Sequence, residues 1–337
     1  MRLRSVDASV KHCDPRSPFL SLWESARAIA ATTHVTVWLR WGGSSDPRLS
    51  AHLLLSTVDV SQSELDALVR VGVAMFDSPR SPWHVDVVDP DELDLPDSGD
   101  VRFVRQTRAS VPVGQGASVE LPLRFSFPGP GAWDRMLAAF AAVEQRLDLA
   151  VTVTPTTLTP DEELELAELT ALRFDEAADR SASRVWATLA DAAASYRTDP
   201  ALVQVVLVGA DGLADSEVGA IASTLTASFD TTNGDGYRVA ASPQRFIGGG
   251  YDVDPARNPA EVLDALRVGR PWLGSTGRTL SDLVTCDELS FLLSWPLSSR
   301  GDLPGIPSGS GLDDLDAAVA GVDPADAVSL GSLPSVV

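Results

Sequence analysis

Apolar positions along this chain recur at two spacings. His34-Val-Thr-Val-Trp-Leu-Arg-Trp41 alternates and is rich in β-branched and aromatic residues, so it predicts a strand. Gly42-Gly-Ser-Ser-Asp46 reads as a turn and Leu49 to Val58 as a second strand, which together give a hairpin. Ser61 and Glu64 form the S-x-x-E pattern of a capping box. The helix they open sets Leu65, Leu68, Val69, Val73 and Phe76 on one face, with Gly72 as an interruption.

Strand-then-helix order continues downstream. Trp83 to Val88 and Val119 to Phe127 read as strands, and Ala132 to Leu147 as a helix carrying Trp133, Met136, Leu137, Phe140 and Val143 at helical spacing. After a strand from Leu149 to Thr154, Thr159-Pro-Asp-Glu162 combines a capping box, Pro at the first helical position and acids at the positive end of the helix dipole. That helix is expected to reach about Asp179, with another from Ser183 to Tyr196. Leu202 to Gly209 reads as a buried strand, Asp215 to Phe229 as a helix and Tyr237 to Ala241 as a strand. Pro259 to Val268 reads as a helix capped by Asn258. A short helix at Leu20 to Ala31 and a last one carrying Leu289, Leu292, Leu293 and Trp295, capped from Thr285 and closed by Pro296, complete the series.

No long βαβαβ series appears, so the pattern predicts an α+β protein rather than a doubly wound sheet. The expectation is two or three sandwich-type modules with mixed or antiparallel sheets: an arm over 1–28, a first part over 29–180, a second over 181–297 and an acidic Gly/Ser/Pro-rich tail over 298–337. The length of 337 residues fits two or three domains, and 44% hydrophobic residues can fill a sizeable core.

Charge narrows the function classes. Lys plus Arg is 26 against 47 Asp plus Glu, a net charge of −21, and the only lysine is Lys11. Nucleic-acid binding draws most of its affinity from cations on phosphates, so no direct nucleic-acid partner is expected. Cys13 and Cys286 lie far apart in sequence and fit neither a disulfide framework nor a metal pattern, so a reducing compartment is expected. No apolar run is long enough to span a bilayer and the N-terminus carries no secretory pattern, so a cytoplasmic protein without membrane insertion is expected.

Candidate chemistry is sparse. A phosphate-binding G-x-x-x-x-G-K-[ST] loop is missing, and Val208-Gly-Ala-Asp-Gly212 lacks dinucleotide-loop spacing. No G-x-S-x-G elbow is present. Cys286 at a helix start is flanked by Asp287 and Glu288, which oppose a thiolate. Seven acidic residues fall between Asp86 and Asp100 without calcium-loop spacing, and Gly248 to Asp254 reads as a flexible loop. His34, His52 and His84 sit in or beside predicted strands, so an enzyme built around them and the 86–100 loop is the alternative to a binding protein. No catalytic, cofactor or metal residue is assigned, and the chain is expected not to be an enzyme.

Leu283-Val-Thr-Cys-Asp-Glu-Leu-Ser-Phe-Leu-Leu-Ser-Trp-Pro296 followed by Leu303-Pro-Gly-Ile306 resembles the passage just upstream of the motor domain in HerA/FtsK-like conjugative-transfer ATPases. The segments 149–162 and 205–208 are similar to their N-terminal α+β region, and Ala327-Val-Ser-Leu-Gly331 resembles the strand that opens the motor. The ATPase core is absent, so no catalytic residue carries over. The resemblance implies a non-catalytic subunit or scaffold that docks on a P-loop ATPase on a separate chain, or on its own copies, in DNA transfer or phage defence. A free-standing adaptor is the other binding reading. Leu289, Leu292, Leu293 and Trp295, with Pro304 and Ile306 in an extended segment, are the expected partner-binding residues.

Overall fold

A computed structural model describes residues 1–6, 17–29, 33–58, 60–78, 81–89, 93, 96, 98–107, 109–114, 117–121, 132–171, 193–210, 212–225, 250–272, 278, 280–285, 289, 293–296 and 303–306. They form an α+β fold around a nine-stranded antiparallel sheet. Its strands are β1 (Arg2–Val6), β2 (His34–Trp41), β3 (Leu49–Ser56), β4 (Trp83–Asp86), β5 (Asp100–Thr107), β8 (Leu147–Pro155), β9 (Pro200–Gly209), β10 (Gly250–Pro255) and β11 (Leu283–Thr285). The order across the sheet is β10-β5-β9-β8-β2-β3-β1-β4. β11 lies beside Pro200–Leu202 of β9, on the edge that β5 occupies further along. β6 (Ala109–Gly114) and β7 (Ala117–Leu121) make a separate hairpin.

Strand alternation sorts the side chains onto two faces. Val35, Val37, Leu39 and Trp41 of β2 join Leu149, Val151 and Val153 of β8 and Val205 and Leu207 of β9 in the main core. Four helices supply the other half: α1 (Ser17–Ile29), α2 (Gln62–Phe76), α3 (Ala132–Ala141) and α5 (Asp215–Leu225). The Ser61–Glu64 capping box forms as the sequence predicts. Gly72 does not break α2; a Cβ there would come within 2.9 Å of Met1 Cε, so glycine permits a close approach beneath the helix.

The opposite face is covered in patches. α6 (Pro259–Arg267) places Val262, Leu263 and Leu266 over Trp38, Val101, Ala150 and Val206. α4 (Pro160–Ala171) and helical residues 193–198 cover Leu202 and Leu283 through Leu166 and Tyr196. The capping box of α4 is made: Thr159 N–H donates to Glu162 Oε2 at 2.7 Å and Glu162 N–H to Thr159 Oγ1 at 3.3 Å. Buried Glu162 also takes Arg278 Nε at 2.7 Å and Nη2 at 2.6 Å, and the same guanidinium reaches Thr156 Oγ1 and the Thr157 carbonyl.

Several expectations change. Residues 2–6, expected in an arm, form β1 within the sheet. β9 of the expected second part lies between β5 and β8 of the first, so a single sheet runs across the 180/181 boundary. Gly250–Pro255 is a strand paired with β5, because antiparallel partners at Arg102–Thr107 extend it where sequence alone shows glycines and acids. Asn258 occupies the N-cap of α6 but its side chain makes no cap hydrogen bond. The strand expected at 237–241 and the tail beyond 306 lie outside the described residues, as do residues 90–92, 94, 95 and 97 of the 86–100 loop.

Candidate functional site

The residues expected to meet a partner belong to this chain's own core. Trp295 is 0% exposed, and Leu289 and Leu293 are equally buried. The Trp295 ring meets Phe19 at 5.4 Å and Trp83 at 6.3 Å, both edge-on. Trp83 Nε1 donates to the Pro296 carbonyl at 3.3 Å. The expected extended run at 303–306 is instead a tight turn. Ile306 N–H donates to the Leu303 carbonyl at 3.1 Å, and Gly305 has φ +78°, the signature of a type II turn with Pro at its second position. Leu303 and Ile306 are buried, and the Pro304 carbonyl accepts the Leu49 N–H at 2.8 Å. A short amphipathic pattern cannot say whose core it fills, and here the chain fills its own. The Leu292 side chain lies outside the described residues.

The three strand histidines share the α6 side of the sheet but do not converge. His34 and His52 stand opposite Ser56 and Trp38 in the β2–β3 register. That separates them by four residues along the strands, roughly 13 Å at the usual rise. His84 is on β4, beyond β1. His34 Nδ1 pairs with Thr154 Oγ1 at 2.8 Å, and burial and then Arg270 push its pKa down. His84 Nδ1 lies 3.8 Å from Asp77. Among the described residues no group of three or more His, Cys, Asp or Glu side chains could hold a metal ion. Asp86 is engaged by Arg2 at 3.9 Å and Arg4 at 3.6 Å; Asp100 accepts Arg102 Nε at 2.7 Å and the Leu213 N–H at 3.0 Å.

The structure does assemble a polar cluster that sequence reading missed. Asp148 on β8, 1% exposed, accepts Trp38 Nε1 and Arg40 Nε at 2.7 Å each and Arg146 Nε at 3.2 Å. Arg40 stands opposite Ser50 on β3, and Ser50 Oγ lies 3.3 Å from His52 Nε2. Arg2 of β1 stands opposite His52. Arg40 Nη2 and His52 Nδ1 are buried without a hydrogen-bond partner. Burial first, then Arg40, the Met1 amino group and Arg2, push the His52 pKa down to about 4. Its imidazole is therefore neutral at pH 7, beside the permanent charges of Arg40 and Arg2. The only available signal was the even numbering of Trp38, Arg40 and His52 in predicted strands. Their meeting with Asp148 needs a β2–β8 register that no local pattern encodes.

One small apolar cavity lies on the main-core side between Val37, Leu149, Met136 and Leu225. Among the described residues no helix is long and apolar enough to cross a membrane. No protein-family model matches this chain, and no curated protein matches it.

Proposed function

We propose that this chain is a non-catalytic subunit or scaffold that binds a HerA/FtsK-like P-loop ATPase on a separate chain, in a DNA-transfer or phage-defence assembly. The observation that supports this reading is how the resembling passage is built in. From β11 through Trp295 to the Leu303–Ile306 turn, its described residues are tied to β9, to the aromatic core and to the start of β3. A passage so anchored is a rigid platform, and a platform holds a motor in fixed geometry. Partner contacts then come from the exterior rather than from Leu289, Leu293 or Trp295. Asp148 and His34 bond across strands and Glu162 bonds Arg278 from the first turn of α4, which gives these polar side chains structural work and favours binding over catalysis.

Reconstitution tests this. A P-loop ATPase encoded beside this chain is purified separately and mixed with it, and complex mass and ATP turnover are followed. A complex of fixed stoichiometry with an altered turnover rate supports the reading. A chain that binds other proteins but leaves the ATPase untouched makes it a free-standing adaptor. Turnover that follows the purified chain alone makes it an enzyme.

A further inference from the structure

We propose that the corner of the sheet formed by Arg40, Ser50, His52 and Arg2 binds a small oxyanion, the carboxylate or phosphate group of a ligand. Three observations converge on it. Arg40 gives Nε to Asp148 but leaves Nη2 buried and unbonded. A buried guanidinium N–H without an acceptor is costly, and such groups in native proteins usually mark an ion, a water or a function. His52, 9% exposed, leaves Nδ1 in the same condition on the adjoining strand. If Ser50 donates to Nε2, Nδ1 carries the proton and is a second donor.

Charge is the third observation. Among the described residues, Arg2 and Arg4 share Asp86 on this corner and Arg40 pairs with Asp148. Three guanidinium groups on two carboxylates give these described residues a surplus of positive charge, in a chain whose net charge is −21. The depressed His52 pKa reports the same field, since Arg40 and Arg2 both oppose its protonation. An oxyanion would accept from Arg40 Nη2 and His52 Nδ1 together, and guanidinium–oxyanion hydrogen bonds are among the strongest a protein makes. Bound charge would also raise the His52 pKa, because it offsets the cations that now lower it.

The claim concerns the purified chain alone, so it stands or falls separately from the ATPase reading. The probes are sodium acetate and inorganic phosphate, each against chloride at equal ionic strength. The readouts are the imidazole resonances of His52, assigned by removing His12, His34 and His84 in turn, and binding calorimetry. Saturable shifts of His52 with a raised pKa support the proposal. An acetate response assigns the site to a carboxylate, and a phosphate response to a phosphate group. Arg40→Gln should weaken binding about tenfold or more, the loss of one charge-assisted hydrogen bond. Where that variant fails to fold, the wild-type His52 titration decides. No His52 shift with either anion, or binding unchanged in both Arg40→Gln and His52→Gln, overturns the proposal.

Discussion

Trp295 and Phe76 lie with ring centroids 4.7 Å apart and planes tilted by 38°, the closest pair in a four-ring cluster with Phe19 and Trp83. The contact joins the end of α2 to a residue 219 positions later in the chain (295 − 76). It closes the main core from the C-terminal side.

Trp295→Ala therefore removes a fully buried ring rather than an exposed anchor. Loss of about 3–5 kcal/mol of stability is expected, the usual cost of truncating a buried aromatic. Denaturant unfolding measures it. A change below about 1 kcal/mol, the surface range, would show that this ring does not close the core.

Gly305→Ala tests the turn that follows. A Cβ there would lie 2.7 Å from Arg48 Cβ, and φ +78° is strained for any L side chain. A loss of about 1–2 kcal/mol is expected. The Leu49 amide, bonded to Pro304, should exchange faster with solvent while amides in β8 and β9 keep their protection.

Acid should weaken the fold through His52. Its folded pKa lies near 4 against an ordinary value of 6.5. The unfolded chain thus takes up the proton first. The stability this group contributes is complete above pH 6.5 and is lost as pH falls from there to about 4, a span worth up to about 3 kcal/mol. Unfolding free energies of wild type and His52→Gln, compared from pH 7 to 4, isolate the effect. Parallel curves would contradict it.

Arg278→Gln should be among the most damaging single changes on the α4 side. Burial pushes the Glu162 carboxyl up, yet Arg278 and the Thr159 N–H outweigh it and hold the carboxyl below its usual range. Removing the guanidinium strands a buried carboxylate, at a cost of about 3–5 kcal/mol. Glu162→Gln in the same background should recover part of that loss, which denaturant unfolding of the double variant would show.

The local elements were legible in the sequence because their signals are local. The His34–Trp41 hairpin and both capping boxes depend on neighbours within a few residues, and each formed as read. The 100–107, 250–255 and 283–285 strands were not, because β5, β10 and β11 are defined by their partners. A stretch such as Gly250-Tyr-Asp-Val-Asp-Pro255 has no pattern of its own that outweighs its turn-forming composition. The Asp148 cluster was hidden for the same reason, since its members come from strands about a hundred residues apart.

The central place of β9 also fixes the order in which the protein can assemble. β8 lies roughly 50 residues before it, β5 roughly 100 before and β11 roughly 80 after, and β9 pairs with all three. A nascent chain emerging from the ribosome thus carries β5 and β8 with edges unsatisfied until residues 200–209 arrive. Such a topology folds late and slowly, and its early intermediates expose strand edges that invite pairing between copies. Synthesis of this chain is accordingly a stage at which chaperone protection matters most, and a fragment ending before Pro200 should aggregate rather than fold.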